Sequence, residues 1–131
     1  MIFLTLTNPI YKITRNKKTL LGWNQVLMMH RFTKNNLKRW YSDIVISQVS
    51  GKKIEEYDGK YGIEVTLFYE NARCDNSNVC GVADKFTLDA LQECGVLKND
   101  NVTKCVETIY RVGGCDKENP RVEIKIYKIE P

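Results

Sequence analysis

The chain has 131 residues, 43% of them apolar and 27% charged, the composition of one globular domain large enough to bury a core without crosslinks. No apolar run approaches the ~20 residues that cross a bilayer, and the opening MIFLTLTNPI lacks the basic flank and apolar length of a secretory signal, so no membrane association and a cytoplasmic location are expected. The net charge of +4 hides a division: residues 1–53 carry ten Lys and Arg against one acid, Asp43, while residues 54–131 carry ten against fifteen acids.

In chain order, Ile2, Leu4 and Leu6 recur at alternate positions and predict a strand over 2–7. Residues 11–33 are basic, aromatic and weakly periodic, and RNKK followed by LLGW reads as a loop. Over 34–50, Leu37, Tyr41, Ile44, Val45 and Gln48 fall at helical spacing, with Lys34, Lys38 and Arg39 elsewhere on the helix. The polar SGKKIEEYDGK then leads to YGIEVTLFYE, where Ile63, Val65, Leu67 and Tyr69 share one face of a strand over 61–70. RCDNSNV reads as a loop. A second helix is predicted over about 82–94, with Val82, Phe86, Ala90, Leu91 and Cys94 inward and Gly95 as its stop. Residues 102–112 and 121–129 close the chain as β segments joined by the turn-rich GGCDKENP. This order predicts an α+β domain, a mixed or antiparallel sheet with two main helices packed on it.

Five cysteines, Cys74, Cys80, Cys94, Cys105 and Cys115, are odd in number and lack CxxC spacing, which predicts reduced thiols, with a zinc site on Cys74 and Cys80 as the alternative. A basic half beside an acidic one suits a phosphate-gripping surface next to a cation site; an ordinary solvated face is the alternative. The candidate phosphate contacts are Lys12, Arg15, Lys17, Lys18, Arg31, Lys34, Lys38 and Arg39. Trp23 is a candidate stacking side chain, and His30, the only histidine, is either structural or a DNA contact. No base-reading motif accompanies them, so recognition by backbone shape is expected. Asp75, at the end of a strand, and Asp100, just past a helix, are expected to meet at one sheet edge and share Mg²⁺, or Mn²⁺ in its place. Mg²⁺ takes few carboxylates and keeps positions for water and a substrate phosphate. Lys85 is placed to neutralise charge growing on phosphorus. Ser77 and Asn78 either join that site or build an Asx-type turn.

DNSN followed by KFTLDALQECGVLKND resembles the phage and prophage RusA-type Holliday-junction resolvases, whose pattern runs Asp-x-Asp-Asn, a spacer, Lys, Asp-Ala-Leu on a helix, Gly, and an Asp or Asn-Asp pair. WNQVLMMHRFTKNNLKRWYSDI and CDKENPRVEIKI are similar to the family's early basic helix and closing strand, so the resemblance spans nearly the whole chain. It implies one RusA-like endonuclease domain over 1–131 and a homodimer with an active site per subunit. It also implies Mg²⁺-dependent cutting of four-way junctions and other branched DNA in phage recombination and replication, within the host cytoplasm and without a small-molecule cofactor. By position it makes Asp75 the first metal-binding aspartate, Asn78 the Asn after the second, Lys85 the catalytic lysine and Asp100 the downstream ligand, with Asp89, Ala90 and Leu91 structural. Where the family has its second aspartate, this chain has Ser77, which can hold a metal or its water but brings no negative charge. A second registration instead sets Arg73 in the first aspartate's place, so one acid is absent either way. Asp84, one position before Lys85, is the candidate substitute, its direction not readable from sequence. The alternative function is a RusA-fold module with an impaired site that binds DNA or protein, such as a phage inhibitor of host defence.

Overall fold

The computed structural model describes residues 1–130. Four strands form one mixed sheet: β1 (Ile2–Pro9), β4 (Tyr61–Tyr69), β5 (Cys105–Cys115) and β6 (Arg121–Lys128), with β2 (Tyr11–Ile13) and β3 (Lys18–Leu20) pairing separately as a small hairpin. The helices are α1 (Trp23–Leu27), α2 (Arg31–Val49) and α3 (Asn76–Glu93). The sheet order is β1-β6-β4-β5. β6 runs antiparallel to both β1 and β4, and β4 runs parallel to β5.

One face of the sheet supplies the core because its strands keep a period of two. Leu4 and Leu6 of β1, Tyr61, Ile63, Val65 and Leu67 of β4, and Val122, Ile124 and Ile126 of β6 are all buried there. Against them α2 turns Leu37, Tyr41, Val45 and Val49, and α3 turns Val79, Val82, Ala83, Phe86, Ala90 and Leu91. Alternation leaves the opposite face to paired charges and aromatics: Arg111 with Glu64, and Arg121 over Phe68 at 4.1 Å and bonded to Asp116 at 2.8 Å. The architecture is the expected α+β arrangement of a mixed sheet with two main helices, and a short third helix is added. Among the described residues no helix is long and apolar enough to cross a membrane.

The differences from expectation have local causes. Residues 11–33 hold β2, β3, α1 and the start of α2 and are not one loop; strands of three residues are too short to display a period. The α2 start at Arg31 lies three residues before the expected one, because its cap is His30, whose Nδ1 accepts the Phe32 N–H at 3.3 Å. α3 begins at Asn76, six residues early, so CDNSN is a helix cap and first turn. Asn and Ser there disguise the helix, since both favour turns in isolation. Its stop is as expected, with Gly95 at φ 78°, a conformation glycine adopts freely.

Ile124 has 0% exposure in β6, which is bonded on both sides. Ile124→Ala is expected to cost about 2–5 kcal/mol, measured as a lower urea midpoint with an unchanged m-value.

Candidate active site and basic surface

Asp75 caps α3. Its extended backbone and its Oδ1, which accepts the Asn78 N–H at 3.3 Å, satisfy a helix donor that would otherwise be orphaned. Ser77 donates its hydroxyl to the same oxygen at 3.1 Å. The Asn78 amide oxygen accepts the Asn24 backbone N–H at 2.9 Å and ties α1 to α3. The three polar residues at the helix start therefore serve its cap and its junction with α1.

A different group of acids gathers farther along α3. Asp84 lies on the same stripe as the buried Cys80, Leu88 and Leu91, at spacings of four and seven residues, so the helix turns it toward the sheet edge. There the Tyr110 hydroxyl of β5 donates to its Oδ2 at 2.6 Å. Burial raises the Asp84 pKa above the usual carboxylate range; the Tyr110 bond works against that shift, and the negative charge of Asp100 adds to it. Lys85 reaches Asp89 at 2.9 Å and Asp100 at 3.8 Å. The bond to Asp89 is the first cause holding the Lys85 ammonium above its ordinary pKa. Burial, then the bond to Asp84, keeps Tyr110 a protonated donor. Cys80 beside this group is pushed up to about 12, by burial first and then by Asp84. At that value it stays a thiol.

The contacts of Asp75 and Asp100 lie at different places along α3, Asp75 bonding Ser77 and Asn78 at its start. Asp100 approaches the helix at Lys85, and ten residues of α-helix separate Lys85 from Asp75, a rise of roughly 15 Å. The acid that feels the charge of Asp100 is Asp84, the residue the sequence offers as a substitute for the absent aspartate. Asp84 and Asp100 are also a pair whose chemistry fits a hard divalent ion, because the charge of Asp100 disfavours ionisation of Asp84 and an interposed cation would offset it. Among the described residues no three His, Cys, Asp or Glu side chains gather as a metal set, and Mg²⁺ held by two carboxylates plus water and substrate phosphate needs no third. The zinc alternative on Cys74 and Cys80 lacks such a set as well.

Comparison with models of protein families and with curated proteins finds no match for this chain.

The basic residues divide into those without an acidic partner and those packed or paired, and Arg31 also lies over the Phe32 ring at 5.5 Å. Arg15 and Lys17 are exposed in the β2–β3 turn, and Arg31 is exposed at the start of α2, with Lys34 one turn on. Lys18 is bonded to Glu70 at 2.6 Å and lies over Tyr11 at 4.2 Å. Lys12 lies over Trp40 at 5.5 Å. Lys38 and Arg39 line a groove of about 510 Å³ between α2 and α3 together with Asp43, Asp89 and Glu93, so their charge is locally offset. Trp23 meets Phe86 edge-on at 6.1 Å and covers Gly81, where a Cβ would collide with the indole. It closes the α1–α3 contact. His30 keeps an exposed ring stacked on Phe32 at 5.4 Å. Phe32 and Tyr110 escaped sequence reasoning: the first lay in a presumed loop, the second on a strand with no motif.

Two stability outcomes separate the two ends of α3. Asp75→Ala is expected to lose about 1 kcal/mol as a cap deletion, seen as a lower thermal midpoint. For Asp84 the folded pKa is raised, so its ionisation opposes folding, and stability falls as pH rises from the unfolded carboxylate value through the raised one. Asp84→Asn should remove that fall, leaving a midpoint at neutral pH equal to or above the wild type's.

Proposed function

We propose that the chain is a Mg²⁺-dependent endonuclease for branched DNA, a RusA-like domain acting as a homodimer, with Asp84 and Asp100 as the cation ligands and Lys85 as the side chain facing the scissile phosphate. The observation carrying this reading is the cluster itself: a carboxylate with a raised proton affinity, a second carboxylate and a firmly charged lysine converge beside a half-chain of strongly basic composition. When bound, Mg²⁺ would make a coordinated water more acidic and offset charge on the leaving oxygen. The protein's own groups do the rest. Tyr110 fixes the Asp84 carboxylate by its hydrogen bond, so the ligand is oriented before substrate arrives. Asp89 holds the Lys85 ammonium at the cluster, from which it can donate to a non-bridging phosphate oxygen. Arg15, Lys17 and Arg31 hold flanking phosphates without reading bases.

A second reading draws on one observation. Asp75 and Ser77, which stand where the resolvase pattern has its two metal-binding aspartates, are spent on each other at the helix cap. This favours a RusA-fold module with an impaired site that binds DNA or a host protein.

Four-way junction cleavage in Mg²⁺ decides between them. Wild type is expected to cut, Asp84→Asn and Asp100→Asn each to lose about 100-fold or more in rate, and Asp75→Asn to keep most of it. Tight junction binding with no cutting in Mg²⁺ or Mn²⁺ would establish the module instead. For the basic surface, the double change Arg15→Ala/Lys17→Ala is expected to flatten the slope of log K against log salt by about 1–2; an unchanged slope would remove these residues from the phosphate contacts.

A further inference from the structure

The corner where α1 turns into α2 exposes apolar side chains that the fold does not use. Leu27 is 66% exposed, Met28 88% and Phe32 64%, and Ile13 on the neighbouring hairpin is 73% exposed. Corner and hairpin belong to one surface, since Lys17 and Lys18 line the same cleft of about 420 Å³ as Met28 and Met29. Phe32 is already half of a stack: the His30 imidazole lies 5.4 Å away at an interplanar angle of 28°, and the Arg31 guanidinium stands 5.5 Å from the ring. Holding a large aromatic ring in water costs free energy, and here nothing in the core needs it. Cations dominate the rim, with Arg15 and Lys17 on the hairpin and Arg31 and Lys34 on the helix, while the acid Glu70 is paired with Lys18 at 2.6 Å.

From this we infer that Phe32, backed by His30, is a stacking platform for an unpaired nucleobase, with Met28 walling one side and the rim cations holding the adjacent phosphates. A planar, electron-rich, apolar-faced group joined to negative charge at both ends is the occupant this surface complements. Base–aromatic stacking of this kind tolerates any base, in keeping with the lack of base-reading side chains. The inference rests on the reading of the chain as a DNA-binding protein, and it would direct binding to DNA whose bases are splayed, as at a branch point or along a single strand, over a fully paired duplex.

The test titrates the protein against a fluorescein-labelled dT oligonucleotide, a four-way junction and a blunt duplex. Phe32→Ala is expected to weaken oligonucleotide binding about ten-fold or more. Its salt slope should stay unchanged and its duplex affinity within about two-fold of wild type. Phe32→Trp should restore the lost affinity, and circular dichroism melting of each variant reports its fold. Oligonucleotide binding that is indifferent to Phe32→Ala, or an equal loss on the duplex, overturns the stacking site. So does a wild-type dimer in sedimentation that Phe32→Ala dissociates, which would make the corner an interface between copies. Wild type that binds none of the three DNAs sinks the DNA-binding reading along with it, whereas the Phe32 effect without junction cutting supports the platform and retires the nuclease reading alone.

Discussion

The parallel pairing of β4 with β5 is the constraint on which the rest hangs. Parallel neighbours cannot be joined by a tight turn, so the chain must travel back along the sheet before the second strand begins. α3 makes that journey, and its 18 residues rise roughly 27 Å. One end of the helix is therefore committed to the exit of β4 and the other to the entrance of β5. Tyr61, the first residue of β4, donates its hydroxyl to the Asn99 carbonyl, which anchors the return segment at that entrance. Asp75, which looks like a partner of Asp100 in a linear pattern, caps the start of the crossover, and Lys85, in its middle, is the side chain that Asp100 approaches.

The two acids that α3 carries at positions 75 and 84 illustrate opposite uses of one charge. At the N-terminus an acid accepts backbone donors and lies at the positive end of the helix dipole, so it supports the fold. In mid-helix, half-buried and facing another acid, it works against the fold, and the Tyr110 hydroxyl and then the Lys85 charge offset part of that opposition. A side chain held where it disfavours folding is a candidate for a functional role, here that of the proposed cation ligand. That asymmetry, more than the identity of the residues, distinguishes Asp84 from the other acids of the chain.

Most of the architecture was legible because burial on one face imposes a period. β1, β4 and β6 show alternate apolar residues, α2 shows its stripe from Leu37 to Val49, and each of these elements lies within a few residues of its expected place. The hairpin and α1 were not legible, since three to five residues hold less than one full period of signal. At the candidate site Lys85 and Asp100 were readable as members of one group, and they lie 3.8 Å apart, whereas the contact between Asp84 and Tyr110 was not readable. The expected helix over 82–94 already held Asp84, but that start left the buried Cys80, one turn earlier on the same stripe, outside the helix, and the turn-forming Asn-Ser-Asn run concealed the true beginning at Asn76. Tyr110 meets Asp84 across 26 residues of sequence, a contact fixed by strand register alone. Sequence position can suggest which residues carry chemistry, whereas their convergence depends on helix phase and register.

The same geometry orders the two proposed surfaces along one axis. The Asn24–Asn78 bond and the Trp23–Gly81 contact fasten α1 to the first turns of α3, so the basic corner lies by the helix start. Asp84 is six residues beyond Asn78, a further rise of roughly 9 Å, and Asp100 lies beyond that. Successive phosphates of one strand are separated by about 3.4 Å along a duplex. A strand anchored at the corner would thus pass several phosphates before reaching the carboxylates. Fixed spacing of this kind would turn the proposed stacking contact into a ruler: DNA that offers a splayed base at one end and a paired backbone at the other would satisfy both proposed surfaces at once. Uniform duplex would satisfy only the electrostatic part, so on the proposed reading a preference for branched DNA would need no reading of sequence.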